Sequence, residues 1–313
     1  MQIFDFSPEA HRATYAAQGW VHVRDGLTAE FLKAARRAVA EAHAARPLSG
    51  RGIAGAKEQF VFEFPEPQHY EELYDAVAAM CGLDRSTVTL SERHIKAYED
   101  DADPEPVAHK DRFASQVSMG LSLEVPEGSH LILYPEDDVW ENPFLNTALR
   151  DSLEPHQVPE VVLQGAKEVA IHDRPGDVIV FRGSAMWHLR RQSASTVNVY
   201  LKFNDFGADP LGEDPSTPRR REATLALAER DDDTVAAAVP VLSRRFDSVA
   251  REYRREDWPE GLFAHVWGQN PFPVSDEEFA LLREADGHRS VHDLGVDPAA
   301  VRRLARRGAL DLL

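Results

Sequence analysis

The chain has 313 residues, 43 % apolar and 28 % charged, which is the balance of a folded protein with room for one catalytic core and a small appendage. A formal charge of −18 repels phosphate backbones and argues against nucleic acid as a partner, and no apolar run approaches the roughly 18 residues of a membrane span. Cys81 is the single cysteine, which rules out an intrachain disulfide and a cysteine-built zinc site. With no signal-peptide pattern at residues 1–8, a cytoplasmic protein is expected.

In chain order, Ser7 and Pro8 form an N-cap and N1 pair that opens a helix, and Gly19 is placed to end it. Residues 20–23 alternate as a short strand. Thr28 then caps a helix to about Ala45, with Phe31, Leu32, Ala35 and Val39 at helical spacing and Pro47 as its stop. Another helix covers about 70–80 and finishes at Gly82. From residue 87 the pattern changes to short β segments at 87–98, 116–125, 130–134, 161–163, 169–172, 177–181 and 196–203. Turn signals at Pro126-Glu127-Gly128 and Pro175-Gly176-Asp177 divide them. An α+β protein is predicted, its core a double-sheet jelly roll or a related sandwich with flanking helices.

Residues 207–221, rich in Gly, Asp, Pro and Arg, read as a linker between a domain over 1–206 and a helical region over 222–313. The basic run Arg219, Arg220 and Arg221 reads as a solvated helix start. Helical patterns fall at 222–230, 233–238, 242–254, 276–285 (stopped by Gly287) and 298–307, before an apolar close at 308–312. This ending resembles a small winged-helix unit. Arg302, Arg303, Arg306 and Arg307 alternate with apolar positions as a solvated helix face does.

Thirteen histidines are present, so placement rather than presence carries the signal. His109-Lys110-Asp111 is a His-x-Asp at the start of the β region, and in a strand residues i and i+2 share a face, so His109 and Asp111 can reach one metal ion. A third ligand from a later strand is His188, which follows the turn and apolar strand Pro175-Gly176-Asp177-Val178-Ile179-Val180-Phe181. Two histidines and one carboxylate on one side of a metal leave its other positions open, the arrangement of non-haem iron(II) oxygenases. The competing reading of His109 and Asp111 is a surface turn; that of His188 is an aromatic cluster with Trp187.

Arg112-Phe113-Ala114-Ser115-Gln116-Val117 resembles the stretch after the metal dyad in cupin-like JmjC oxygenases, and Pro175 through Trp187-His188 resembles their distal-histidine strand. Gly19-Trp20-Val21-His22-Val23-Arg24-Asp25-Gly26-Leu27-Thr28 resembles instead the entry to phytanoyl-CoA-hydroxylase-like enzymes. Both belong to the iron(II)/2-oxoglutarate-dependent oxygenase superfamily. The resemblance implies a double-stranded β-helix (cupin) core, Fe(II) held by His109, Asp111 and His188, 2-oxoglutarate and O₂ as co-substrates, and hydroxylation of an unactivated C–H bond. Retention of Asp111, where related halogenases carry a small residue, favours hydroxylation or desaturation.

Cupin-like members carry a cation on the strand after His-x-Asp to grip the distal carboxylate of 2-oxoglutarate, but Met119-Gly120-Leu121-Ser122-Leu123 offers none. Lys202 is the first candidate in its place, its other reading being an ammonium that snorkels to water. Arg93 is the second, and Lys96 on the same strand is a further possibility. Gln116 is a candidate for a hydrogen bond near the cofactor, whereas His94 and His172 read as satisfied core histidines. The substrate is expected to be a small metabolite, an amino acid or natural-product intermediate. The alternatives are a protein side chain, as in JmjC enzymes, or a non-oxygenase cupin-like metal-binding protein. Two roles are open for the C-terminal unit: forming a homodimer, and covering the mouth of the active site.

Overall fold

The strands between residues 89 and 204 bury both faces, and this decides the architecture around them. A computed structural model describes residues 1–45, 57–136, 139–146, 148–252 and 260–313, and the chain divides into two units, Met1–Phe206 and Gly207–Leu313. The first contains strands β1 (Trp20–Val23), β2 (Lys57–Val61), β3 (Thr89–Tyr98), β4 (Val117–Glu124), β5 (His130–Tyr134), β6 (Val169–Ile171), β7 (Val178–Phe181), β8 (Trp187–Arg191) and β9 (Val197–Asn204). One sheet has the order β1-β7-β4-β9-β3-β2 and the other β6-β5-β8, and His109 makes an antiparallel bridge with His188 at the free side of β8. Read in chain order, β3, the His109 segment, β4, β5, β6, β7, β8 and β9 interleave between two antiparallel sheets as in a jelly roll.

Helices α1 (Arg12–Gln18), α2 (Ala29–Ala45) and α3 (Gln68–Cys81) supply the apolar cover of the larger sheet. Phe31, Ala35, Leu73, Val77 and Met80 pack in one cluster with Leu90, Ile95, Val117, Met119, Leu121, Val199, Leu201 and Phe203. Gly19 and Gly82 end α1 and α3 in the left-handed region, at φ 77° and 74°. Thr28 caps α2, its Oγ1 accepting from the Phe31 N–H at 3.2 Å. Pro47, expected to stop α2, lies outside the described residues. Ser7 caps nothing: its hydroxyl donates to Glu9, and Pro8 opens a 3₁₀ turn ahead of α1.

The β3–β9 register shifts between Leu90 and Glu92. This bulge lets Leu90 and Ile95, five residues apart, both reach the apolar cluster, and it turns Glu92, His94 and Lys96 to the opposite face. Residues 161–163, expected as a strand, fall at a single helical turn, α5 (Pro159–Val162), which follows the short α4 (Leu149–Ser152). Pro159 at N1 and the Val158 carbonyl, which accepts from Val161 and Val162, close that turn; so short an apolar run carries no period.

The second unit holds α6 (Ser216–Ala228), α7 (Asp232–Ala237), β10 (Pro240–Leu242), β11 (Phe246–Glu252), β12 (Gly261–Val266), β13 (Phe272–Val274), α8 (Asp276–Glu284), α9 (Val291–Leu294), α10 (Pro298–Arg306) and β14 (Leu310–Leu312). Residues 216–221, read as linker, are the first turns of α6. The helix expected over 242–254 is instead the end of β10 and all of β11, which pairs antiparallel with β12. Of the basic run at 219–221, Arg219 is exposed, but Arg220 pairs with Asp311 at 3.1 Å and Arg221 donates to the carbonyls of Ala305 and Arg306 at the end of α10. Arg302 and Arg303 bond Asp232 and Glu278. Ser275 and Ser290 complete capping boxes with Glu278 and Asp293. Among the described residues, no helix is long and apolar enough to cross a membrane.

Candidate metal centre

His109 and His188 exchange both backbone hydrogen bonds, each 2.9 Å, which places their rings side by side with centroids 4.4 Å apart. The His-x-Asp therefore lies on an isolated bridge and not, as expected, within a strand, but the extended backbone keeps His109 and Asp111 on one side. The Asp111 backbone is pinned twice, its N–H donating to Gly183 at 3.0 Å and its carbonyl accepting from Asn142 at 2.9 Å. One potential ligand atom from each of His109, Asp111 and His188 lies within 4.8 Å of the others.

His188 is buried, and its Nδ1 faces the Met186 carbonyl at 2.9 Å. That contact favours a proton on Nδ1 and leaves Nε2, 3.7 Å from Asp111 Oδ2, with its lone pair toward the triad. Burial is the main cause that depresses the His188 pKa to about 4, so the ring is neutral near pH 7. Burial alone would raise the Asp111 pKa, but the charges of Lys202, His188 and Lys96 outweigh it and hold the carboxyl well below the usual range. Two imidazole nitrogens and a carboxylate oxygen are a fitting donor set for a divalent transition metal.

Lys202 is 2 % exposed and does not snorkel. Its ammonium contacts Asp111 Oδ2 and donates to Ser118 Oγ at 3.0 Å, while Ser118 donates to the same Asp111 oxygen at 2.6 Å. The register explains the meeting, because Lys202 on β9 stands between Ser118 on β4 and Glu92 on β3. Glu92 in turn binds Arg112 and His94, the latter at 3.0 Å. Gly183 closes the other side: an added Cβ would lie 1.9 Å from Ser118 Oγ and 2.8 Å from Asp111 Oδ2.

Arg93 and Gln116 are not brought to this cluster. Arg93 shares the face of Ile95, where it donates to the Phe62 carbonyl and pairs with Glu63, both at 2.6 Å. Gln116 accepts from the Asp205 N–H at 3.1 Å and lines a cleft of about 400 Å³ with Trp140, Glu141, Arg182 and Ser184, to which no triad residue contributes. His94 is a bonded interior histidine, as expected, held also by Gln59 at 2.6 Å. Ser118, Gly183 and Glu92 were not anticipated as site residues. The sequence signal for Gly183 was its place between the apolar strand and His188, where a glycine marks close backbone approach.

Lys96 is the remaining inward cation. It is 7 % exposed, and its Nζ lies 4.9 Å from the centroid of the Tyr200 ring, which the Lys202 ammonium approaches to 5.3 Å. Among the described residues Lys96 has no hydrogen-bond acceptor and no ion pair. Burial opposes its charge, but Glu92 and Asp111 outweigh burial and raise its pKa above the ordinary lysine value. A cation–π contact contributes roughly 0.5–2 kcal/mol. Desolvating an ammonium costs several kcal/mol, so the ring alone does not offset it.

No family model and no curated protein matches the chain. Several solved structures resemble it. The non-heme alpha ketoglutarate dependent carbocyclase SnoK from nogalamycin biosynthesis has 17 % identity and a TM-score of 0.48, over 66 % of this chain and 87 % of that one. The non-heme alpha ketoglutarate dependent epimerase SnoN from the same biosynthesis has 17 % identity and a TM-score of 0.46, over 63 % and 80 %. EctD from S. alaskensis, solved with 2-oxoglutarate and 5-hydroxyectoine, has 14 % identity and a TM-score of 0.44, over 64 % and 77 %.

Proposed function

We propose that the chain is a non-haem iron(II), 2-oxoglutarate-dependent oxygenase that hydroxylates an unactivated C–H bond of a small metabolite, such as an amino acid or a natural-product intermediate. The observation that carries this reading is the convergence of His109, Asp111 and His188 within 4.8 Å on a jelly-roll core. When bound, the metal couples oxidative decarboxylation of 2-oxoglutarate by O₂ to oxidation of the substrate. The protein's part is to keep the His188 imidazole neutral and the Asp111 carboxylate ionised, and to fix the positions of the triad. Met186, Gly183, Asn142 and Ser118 do this through the bonds described above.

Lys202 is the candidate to receive the distal carboxylate of 2-oxoglutarate. Its ammonium contacts the Asp111 carboxylate, and a metal held by His109, Asp111 and His188 would draw on the same carboxylate, which would leave the ammonium able to receive another. Ser118 remains beside it as a neutral partner. Arg93, the second candidate, is already held by Glu63 on the other face.

The test is anaerobic titration with Fe(II) and 2-oxoglutarate, following the visible charge-transfer band of the chelate. The band is expected in the wild type and absent from His188→Ala. Lys202→Met should raise the half-saturating 2-oxoglutarate concentration about ten- to hundredfold, the worth of a charge-assisted hydrogen bond. Arg93→Met should leave it within about twofold, since a surface-type pair contributes little. Folded, iron-loaded wild-type protein without a band would refute the oxygenase reading and favour a metal-binding protein of another kind.

A further inference from the structure

We infer that Lys96 receives a carboxylate of the substrate, so that the enzyme acts on a small carboxylic acid, free amino acids included, at a carbon a few bonds from that group. This deepens the oxygenase reading and rests on it. The starting point is the pairing of buried charges contributed by both sheets of the roll. Arg190 is fastened to Asp173 by three hydrogen bonds of 2.9–3.0 Å. Arg112 is fastened to Glu92, and Lys202 to Asp111. Each of these cations has its own carboxylate. Lys96 pairs directly with none; Glu92 and Asp111 favour its charge only from beyond ion-pair distance, and its ammonium rests over the Tyr200 ring with 93 % of the residue's surface buried. A metal ion brings two positive charges and a 2-oxoglutarate dianion brings two negative ones, so their arrival leaves Lys96 without a direct ion-pair partner, as before.

A ligand anion is what such a group lacks. Placement fits a substrate contact, because the Lys96 and Lys202 ammoniums flank one ring and so lie within about 10 Å of each other. A carboxylate held at Lys96 therefore reaches back past Tyr200 toward Asp111 with a chain of a few atoms. One compact ammonium is a point charge that suits a single carboxylate, whereas planar two-pronged recognition would call for a guanidinium. A protein with a net charge of −18 has little long-range attraction for anions, which leaves recognition to a local cation such as this one.

The probes are free amino acids and simple alkyl and aryl carboxylic acids, each paired with its primary amide. They are added to the anaerobic wild-type Fe(II)–2-oxoglutarate complex at saturating 2-oxoglutarate, and separately to metal-free protein in a thermal melt. Some acids are expected to perturb the band without bleaching it and to raise the melting temperature, while their amides do neither. In Lys96→Met the best acid should need about tenfold more for half-effect, with 2-oxoglutarate half-saturation within about twofold. Lys96→Arg should keep the preference for acid over amide. The metal-free melt of Lys96→Met, expected at or above the wild-type temperature, shows that the variant folds. Acids that never outperform their amides overturn the inference. So does a Lys96→Met variant that loses 2-oxoglutarate instead, which would make Lys96 the cosubstrate's anchor. Absence of the band in wild type would count against the oxygenase reading alone, because the metal-free melt still compares acid with amide.

Discussion

The two faces of the β3–β9–β4 sheet are equally buried and chemically opposite. One carries Ile95, Met119, Leu121, Val199 and Leu201 against the helices; the other carries Glu92, His94, Lys96, Ser118, Tyr200 and Lys202. Apolar burial contributes about 25 cal/mol per Å² to stability. Replacing a face of charges by hydrocarbon would in general be neutral or stabilising. Retaining ions inside the roll therefore makes sense only where they meet something that the chain itself does not supply.

The largest effect on this comparison should come from Gly183→Ala. The added methyl has no room beside Ser118 Oγ and Asp111 Oδ2, and the Ser115 carbonyl at 2.8 Å blocks retreat because it is backbone. Disturbing the partners of a metal ligand costs about 10- to 100-fold in metal affinity. Fe(II) titration should register at least that loss, and an unchanged affinity would show that the Ser118–Asp111 contact has no part in the site.

Leu201→Ala strikes the other face, one residue from Lys202. Leu201 is fully buried in the apolar cluster, so truncation should cost about 2–5 kcal/mol in denaturant unfolding. The 2-oxoglutarate titration of the folded fraction should stay within about twofold of wild type, since the Leu201 side chain points away from the triad. Equal damage to stability and cofactor binding would mean that the two faces are not separable.

How much of this was legible in the sequence follows from which signals are local. His109, Asp111 and His188 could be read because the motif, the Pro175-Gly176 turn and the apolar strand before His188 lie along short stretches of chain, and Lys202 because an unpaired lysine in an apolar strand needs a partner. Arg93 and Lys96 were both put forward as facing inward, although three residues of regular strand put them on opposite faces, and the sequence alone did not say which face was inner. The five-residue spacing of Leu90 and Ile95 was the available clue, since both belong to the apolar cluster only if one residue is extra. Lys96 was only one inward possibility among several, because a vacant cation is recognised by what surrounds it in space. In the second unit, Leu242, Phe246 and Val249 stand at helical spacing, yet pairing of β11 with β12 overrides that local period.

Acid should separate the faces with the gentlest perturbation. On the inner face His188 has a pKa depressed to about 4, chiefly by burial, and Glu92 and Asp111 lie below the carboxylate norm because His94, Arg112 and Lys202 outweigh their desolvation. For all three the unfolded chain binds more protons than the folded one, so stability rises with pH and is lost as pH falls. The His188 contribution goes between its ordinary value of 6.5 and about 4, and the carboxylates follow at lower pH. The second unit supplies the opposite sign. Burial raises the pKa of Asp209 and Asp311, so their contribution is complete below the ordinary aspartate value and is lost as pH rises through the raised one. Hydrogen exchange on metal-free protein, stepped downward from pH 7 and corrected for intrinsic rates, should therefore show protection falling first in β3, β8 and β9 while β10 and β14 hold. Loss of both at one pH would mean that the inner-face charges do not set the acid limit. The same series on Leu201→Ala should move every midpoint of the first unit upward without changing their order, because that substitution lowers stability but leaves the titrating groups in place.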